Sequence, residues 1–472
     1  MKQLDFRNGS IAKNIVASAI PMLIAQFVNL LYNLIDRVYI GRIPEVGTEA
    51  LGALGLTFPV IILITAFTNL YGGGGAPLFA IARGERRSLR AGAILQTCFY
   101  LEVGTALLLM LVGFVFAEPI LRLFGASDTA MPYSLPYLRI YLTGTVFSMV
   151  SIGMNPFINA QGFPTYGMIS VVLGAALNLG LDPLFIFPLG MGIRGAAVAT
   201  VISQAVSAIV VCQILRSKKM SVPLVFGSLH RLAEKRDTED PTSFLRNHAD
   251  QVSRRLRRRL ISQIVTLGIA SFVMQFTNAL VSIVCNAVLS RAGGHIYISV
   301  MTVVSSLRQV FETPLLAICE GSSPVISFNY GAEAFDRVRR SVRVMSVMCL
   351  AYTAVIWILV MVFPAVFIAV FSNDKSILEQ AVPATRIYFC AFLFMTLQYI
   401  GQTTYKALNQ RARSIFFSIF RKVILVVPLT YLLPLVFDPP VNGVFAAEPV
   451  SNILGGSASF FTMLYFVYHL KN

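Results

Sequence analysis

The sequence predicts an all-α polytopic membrane protein, with twelve transmembrane helices in two six-helix bundles related by a pseudo-twofold axis along the membrane normal. Three observations lead there: the composition, the spacing of the apolar runs, and an internal repeat. Of 472 residues, 56% are hydrophobic and 13% charged, whereas a soluble domain carries roughly a quarter charged residues. Apolar runs of about 20 residues, long enough to cross a bilayer, recur from Ile15 to the turn before His469. The repeat appears at a displacement of about 248 residues.

In the first half the runs centre near Val28, Ile62, Leu107, Phe147, Val172 and Ser203. In the second they centre near Phe276, Val304, Ile356, Phe392, Val426 and Ser459. Lys2, Arg7 and Lys13 before the first run resemble the start of a signal peptide, with small residues at 17 to 19. The run continues past that point into further spans, which a cleaved signal does not do.

The repeat links the two halves at three places. Gln26, Phe27 and Asn29 match Gln275, Phe276 and Asn278; Pro77, Gly84 and Arg90 match Pro324, Gly331 and Arg337; Gly195 and Ser203 match Gly443 and Ser451. An even number of spans per repeat gives both halves the same orientation, the parallel arrangement that rocks about a central cavity in secondary transporters. The expected lobes are 1–216 and 258–472. They are joined by a polar cytoplasmic linker at 217–257, to which the sequence assigns no chemistry.

A net charge of +16 would suit a nucleic-acid partner if the basic residues were clustered on one face. They alternate by loop instead. Arg83, Arg86, Arg87 and Arg90 follow the second span, and Arg216, Lys218, Lys219 and the run at 254–259 follow the sixth. Arg337, Arg339, Arg340 and Arg343 follow the eighth, and Lys406, Arg411 and Arg413 follow the tenth. The intervening loops hold one lysine, Lys375. The positive-inside rule therefore puts both termini in the cytoplasm, and no nucleic-acid partner is expected. The six cysteines lie in or beside apolar spans without a C-x-x-C pair, and the four histidines lack metal-ligand spacing. No P-loop pattern occurs. Neither a metal centre nor a cofactor nor enzyme chemistry is expected.

A carboxylate at mid-bilayer costs about 2.5 to 3.5 kcal/mol on insertion scales, which makes each one a candidate functional residue. Asp36 shares a helical face with Gln26, Asn29 and Asn33 in the first span. The same stripe also suits an interhelical hydrogen-bonding seam, with Arg37 neutralising Asp36. Asn178 and Asp182 are one turn apart in the fifth span, just before Pro183, which frees a carbonyl near residue 179. Thr200 lies in GAAVATVISQ, where small residues allow close helix contact, and it also suits a bond back to its own helix. Glu312, four residues after Arg308, reads as an intrahelical ion pair. Glu320 is placed near a cytoplasmic end, and Glu102 and Glu448 near span ends. The glycine run at 72–75 reads as close packing or a hinge.

Together, IDRVYIGR at 35–42, NLGLDP at 178–183, GAAVATVIS at 195–203 and GSSPVISFNYGA at 321–332 resemble the multidrug and toxic compound extrusion (MATE) transporters. Within that family they resemble the prokaryotic DNA-damage-inducible-F-like branch. The resemblance covers nearly the whole chain outside the linker. It implies a cation site, for a proton or sodium, at Asp36, Asn178, Asp182 and Thr200. It also implies a monomer in the inner membrane that meets lipid on all sides and exports small, often cationic or amphipathic organic substrates by antiport. Gln26, Asn29, Asn33, Gln275, Asn278 and Glu320 are the candidates for the substrate cavity. Two departures stand out: Glu320 where relatives usually have Gln, and a longer linker. No Asp or Glu occurs between Gln251 and Phe311, so the span-seven acid of another branch is absent.

Two rival functions would leave other residues in the spans. A lipid or lipid-linked oligosaccharide flippase would favour basic residues facing the cavity, and intramembrane Lys and Arg look scarce here. A membrane-embedded hydrolase or acyltransferase would need His or paired catalytic groups inside the spans, and none is seen.

Overall fold

The computed structural model describes residues 3–225, 249–371 and 375–470, and every regular element among them is helical. The first half contains α1 (Ile11–Gly41), α2 (Gly47–Gly84), α3 (Ser88–Leu123), α4 (Met131–Thr143), α5 (Thr145–Ala160), α6 (Pro164–Ile186) and α7 (Ile193–Arg216). The second contains α8 (Ala249–Gly293), α9 (His295–Gly331), α10 (Phe335–Val362), the short α11 (Pro364–Ala369), α12 (Lys375–Phe389) and α13 (Phe392–Ala407). It ends with two interrupted rods. One is α14 (Arg411–Ile419), a π turn (Phe420–Val426) and α15 (Val427–Leu432); the other is α16 (Pro440–Ser451), a π turn (Asn452–Gly456) and α17 (Ser457–Tyr468).

All twelve predicted span centres fall in these helices or their π turns. Among the described residues nine helices are long and apolar enough to cross a membrane, and ten if the pair bent by 48° at residues 390–391 counts as one span. The two positions that do not qualify have physical reasons. The span at Phe147 is broken at Gly144 into α4 and α5, and α9 carries Arg308, Glu312 and Glu320. Breaks recur in the fourth span of each half, α4/α5 and α12/α13, at the repeat displacement. The packing repeats as well. In the first half α2 packs on α3 and α5, and α5 packs on α3 and α7. In the second, α9 packs on α10 and α13, and α13 packs on α10 and α17.

Contacts divide the chain into two units. Unit 1 comprises Met1–Leu4 and Ile24–Phe272; unit 2 comprises Asp5–Leu23 and Val273–Asn472. The boundaries expected from sequence, 1–216 and 258–472, thus differ in two places: the first half of α1 belongs with unit 2, and the first half of α8 with unit 1. Packing explains both. Arg337 donates to the carbonyls of Phe6 (3.2 Å) and Gly9 (2.7 Å), and Asn329 also donates to Phe6 (3.1 Å), which fixes the start of the chain on unit 2. In that segment Asp5 Oδ1 accepts from the backbone N–H groups of Arg7 and Asn8. The Asn8 bond leads in holding the Asp5 carboxyl below the usual carboxylate range.

The glycine run at 72–75 is close packing. Gly72 lies against the Gly153 backbone, and Gly74 against Ile264 and Gly268 on α8, within unit 1. A Cβ added at Gly268 would overlap the Leu70 carbonyl. Gly268→Val is therefore expected to destabilise unit 1 by about 3 kcal/mol or more, read as loss of monodisperse protein after extraction. A yield like that of the native chain would show that α2 and α8 have room to separate.

The expected linker at 217–257 does not behave as one segment. Met220, Val222 and Leu224 are buried. The N–H of Leu224 donates to Leu215 O at 2.8 Å, that of Val222 to Gln161 Oε1 at 2.9 Å, and Gln96 Nε2 to Val225 O at 3.0 Å. Residues 217–225 are thus strapped onto unit 1, and 249–257 already belong to α8. The rest of the linker lies outside the described residues.

Candidate functional site: a buried carboxylate pair in unit 1

Helix α6 begins with Pro164 in its first turn and runs through Pro183 to Ile186. Proline cannot donate to the carbonyl one turn back, that of Leu179, so the ladder is weakened beside Asn178 and Asp182. Helix α7 packs closely on α6 because its facing residues are small. Gly195, Ala196, Ala197 and Ala199 are buried, and Ser207 Oγ donates to Ser170 O at 3.0 Å. This contact sets Thr200 opposite Asn178.

The four residues expected to form one site come together. Asn178 Nδ2 donates to Asp182 Oδ1 at 3.1 Å and to Thr200 Oγ1 at 3.4 Å. Thr200 Oγ1 in turn donates to Ala196 O at 3.0 Å. The bond back to its own helix and the site contact thus coexist, since the first uses the hydroxyl hydrogen and the second a lone pair. The Asp36 carboxyl, on α1, lies within hydrogen-bonding reach of the Asp182 carboxyl. The Arg37 guanidinium lies over the Phe58 ring at 4.7 Å, and its charge also acts favourably on Asp36.

Asp182 is fully buried and Asn178 is 2% exposed. Asp36 Oδ1, Asn178 Oδ1 and Asp182 Oδ2 are buried and accept no hydrogen bond within the protein. Buried acceptors left unpaired are costly. Two facing carboxylates also repel unless a positive charge lies between them. An all-oxygen set of this kind suits a sodium ion or a shared proton. Among the described residues no group of three or more His, Cys, Asp and Glu assembles that could hold a metal.

The sequence reading missed the aromatic wall. Tyr32 and Tyr137 lie beside Asp36 and Asp182. Tyr137 and Tyr141 stack with ring centroids 6.3 Å apart, and Tyr141 bonds to Gln204 and Ser148. The available signal was two tyrosines one helical turn apart in α4, a spacing also common in ordinary packing.

The candidate cavity residues separate. Asn29 and Asn33 are exposed, and Asn33 Nδ2 bonds back to Asn29 O at 2.7 Å, while Gln26, Gln275 and Asn278 are half-buried. Glu320 is exposed and close to Lys406. The expected Arg308–Glu312 ion pair is present at 3.7 Å. Glu102 is not near a span end. It is fully buried well inside α3, next to Gly72 and Gly153. Basic residues inside the helices are not scarce, contrary to the expectation from sequence: Arg308, Arg421 and Lys422 all lie within helices of unit 2, with Arg421 and Lys422 buried.

Repeat-related bundles of membrane-spanning helices, one of them holding a buried acid pair, define an integral membrane protein of secondary-transporter architecture. The MatE family model matches residues 21–184 and 270–432, and the chain belongs to that family. It is 23% identical over 469 residues to the multidrug export protein MepA of Staphylococcus haemolyticus (strain JCSC1435), covering 99% of this chain and 95% of that one. It is 21% identical over 443 residues to MepA of Staphylococcus aureus (strain MRSA252), covering 92% and 89%. Among solved structures it matches an outward-facing multidrug resistance MATE family transporter of the MOP superfamily, with TM-score 0.87, 21% identity, and 100% and 99% of the two chains covered. It also matches a MOP superfamily transporter from Pyrococcus furiosus described as having a binding pocket of reverse polarity, with TM-score 0.87, 21% identity and full coverage of both chains.

Proposed function

We propose that the protein is a cation-coupled antiporter of the cell membrane, both termini cytoplasmic, that exports small, often cationic or amphipathic organic compounds by alternating access. The observation that carries the reading is the set of three buried, donorless oxygens on Asp36, Asn178 and Asp182 beside Thr200. A proton or sodium ion entering this set relieves the repulsion between the two carboxyls. Because Asp36 is in the second half of α1 and its partners are on α6 and α7, ion binding ties that half of α1 to the rest of unit 1, and ion loss releases it. Transport is coupled if ion and substrate favour different states of the protein. The export reading over lipid flipping rests on the multidrug export relatives.

Full-length protein in liposomes loaded with ethidium tests this, with sodium and pH gradients imposed separately. One gradient is expected to accelerate efflux severalfold over the leak. Efflux indifferent to both would sink the proposal.

A further inference from the structure

Unit 2 contains a second buried polar assembly. Glu448 on α16 accepts from Lys422 in the first π turn through Oε1 and from Tyr388 OH on α12 through Oε2 at 2.9 Å. Arg308 on α9 reaches Glu448 Oε2 at 3.5 Å and Glu312 Oε1 at 3.7 Å. Tyr399 OH on α13 donates to Glu312 Oε1 at 3.3 Å. Arg421, next to Lys422, donates Nη1 to the amide oxygen of Asn452 at 2.6 Å rather than to a carboxylate.

Both π turns bear on the site, as such turns often do at functional positions. The first carries Arg421 and Lys422, and the second begins at Asn452. Gly455 in the second leaves room for the Arg421 stem, since a Cβ there would meet Arg421 Cβ and Cγ at 3.0 Å. By the repeat displacement Glu448 stands where Thr200 stands in unit 1. Cys285 and Thr430, in contact at 3.8 Å, stand where Asp36 and Asp182 do. Unit 2 thus carries an acid at the Thr200 position and none at the positions of Asp36 and Asp182.

The charges do not balance. With Lys422 protonated against Glu448, three cations, Arg308, Arg421 and Lys422, face two carboxylates, Glu312 and Glu448; the two guanidiniums cannot shed their protons, whereas Lys422 can. An uncompensated buried cation is expensive. Arg308 Nε is buried and has no acceptor. The Arg308 side chain is 21% exposed, so part of it reaches the surface of unit 2, although Nε itself is buried. An excess of one positive charge with a spare guanidinium donor fits a singly charged planar acceptor, which is the geometry of a carboxylate.

We propose that this cluster binds the carboxylate group of the exported compound, with Arg308 and Arg421 as its anchors. This rests on the export reading and adds to it a preference for substrates that carry an acid as well as apolar or cationic parts.

The test uses two dyes with the same ring system, rhodamine 110 with a free carboxyl and rhodamine 123 as its methyl ester. Binding to the full-length protein in neutral detergent is followed by fluorescence anisotropy. The native chain should prefer rhodamine 110, and Arg421→Gln should weaken rhodamine 110 about tenfold while leaving rhodamine 123 within about twofold. Equal affinities in the native chain, or an equal loss of both dyes in the variant, would overturn the proposal. If Arg421→Gln fails to fold, the native comparison decides alone. Gradient-driven efflux of rhodamine 123 from liposomes checks export separately. If that efflux is absent but the preference is present, the antiport reading falls and the carboxylate site stands.

Discussion

Replacing Asp182 with Asn is expected to abolish ion-dependent transport. The side chain keeps its size and its place beside Asn178, but one donorless oxygen becomes an NH2 group that can bind neither a proton nor a sodium ion. The carboxylate pair with Asp36 is also lost, so Asp36, Asn178 and Thr200 are left without the second acid that draws a cation between α1 and α6. A fall of at least about tenfold in gradient-driven efflux is expected, the scale of one lost charged interaction. Asp36→Asn should have the same result, because each carboxyl works only against the other. The repeat supplies the control. Cys285 and Thr430 hold the equivalent positions in unit 2 without an acid between them, so Thr430→Val and Cys285→Ala should leave the ion dependence within about twofold, a small change on the same scale. Proteoliposome efflux and an ion-induced change in tryptophan or dye fluorescence would both report it. Retention of full ion dependence by Asp182→Asn would move the coupling site out of unit 1.

The fold was largely legible because its signal is coarse. Spans are set by hydrophobic length, and a duplicated chain repeats its own glycines and prolines. The carboxylate pair was legible in part. Asn178 and Asp182 are one helical turn apart, and their joint orientation follows from that spacing. That Asp36 meets Asp182 depends on tertiary packing, which the family resemblance implied and residue spacing did not. The charged cluster of unit 2 was hidden for a different reason. Its members come from six helical segments between residues 308 and 452, and none is near its partners in sequence apart from Arg308 and Glu312. Arg421 and Lys422 lie just after Arg411 and Arg413 and pass for the tail of a cytoplasmic basic loop. Only the approach of Glu448 from α16 shows why they are tolerated at depth. The division of α1 and α8 between units was hidden as well, because a continuous apolar helix gives no sign of which neighbour it contacts at each turn.

Glu448→Ala is expected to be the most destabilising single truncation in unit 2. Glu448 is 4% exposed and takes bonds from Lys422 and Tyr388 and an ion pair from Arg308. Removing it leaves Lys422, which is 3% exposed, facing Arg421 and Arg308 without a counter-charge. Breaking a buried pair by deleting one partner costs about 3–5 kcal/mol, because the surviving charge stays buried. The protein should therefore aggregate on mild heating in detergent, well before the native chain does. Changing both residues tests whether stranded charge, rather than lost packing, is responsible. In Glu448→Leu/Lys422→Leu the apolar bulk is kept and the unpaired ammonium is gone, while Arg308 retains Glu312. Replacement of a buried ion pair by apolar residues of similar volume is often neutral or stabilising, so the double variant should recover most of the loss. If the single and double variants unfold together, the site is held by shape and hydrogen bonding, and the excess of positive charge is not what governs its stability. If the double variant recovers but loses the preference for the free-carboxyl dye, stability and recognition separate within one cluster, with Lys422 and Glu448 tuning the field in which Arg308 and Arg421 meet their ligand.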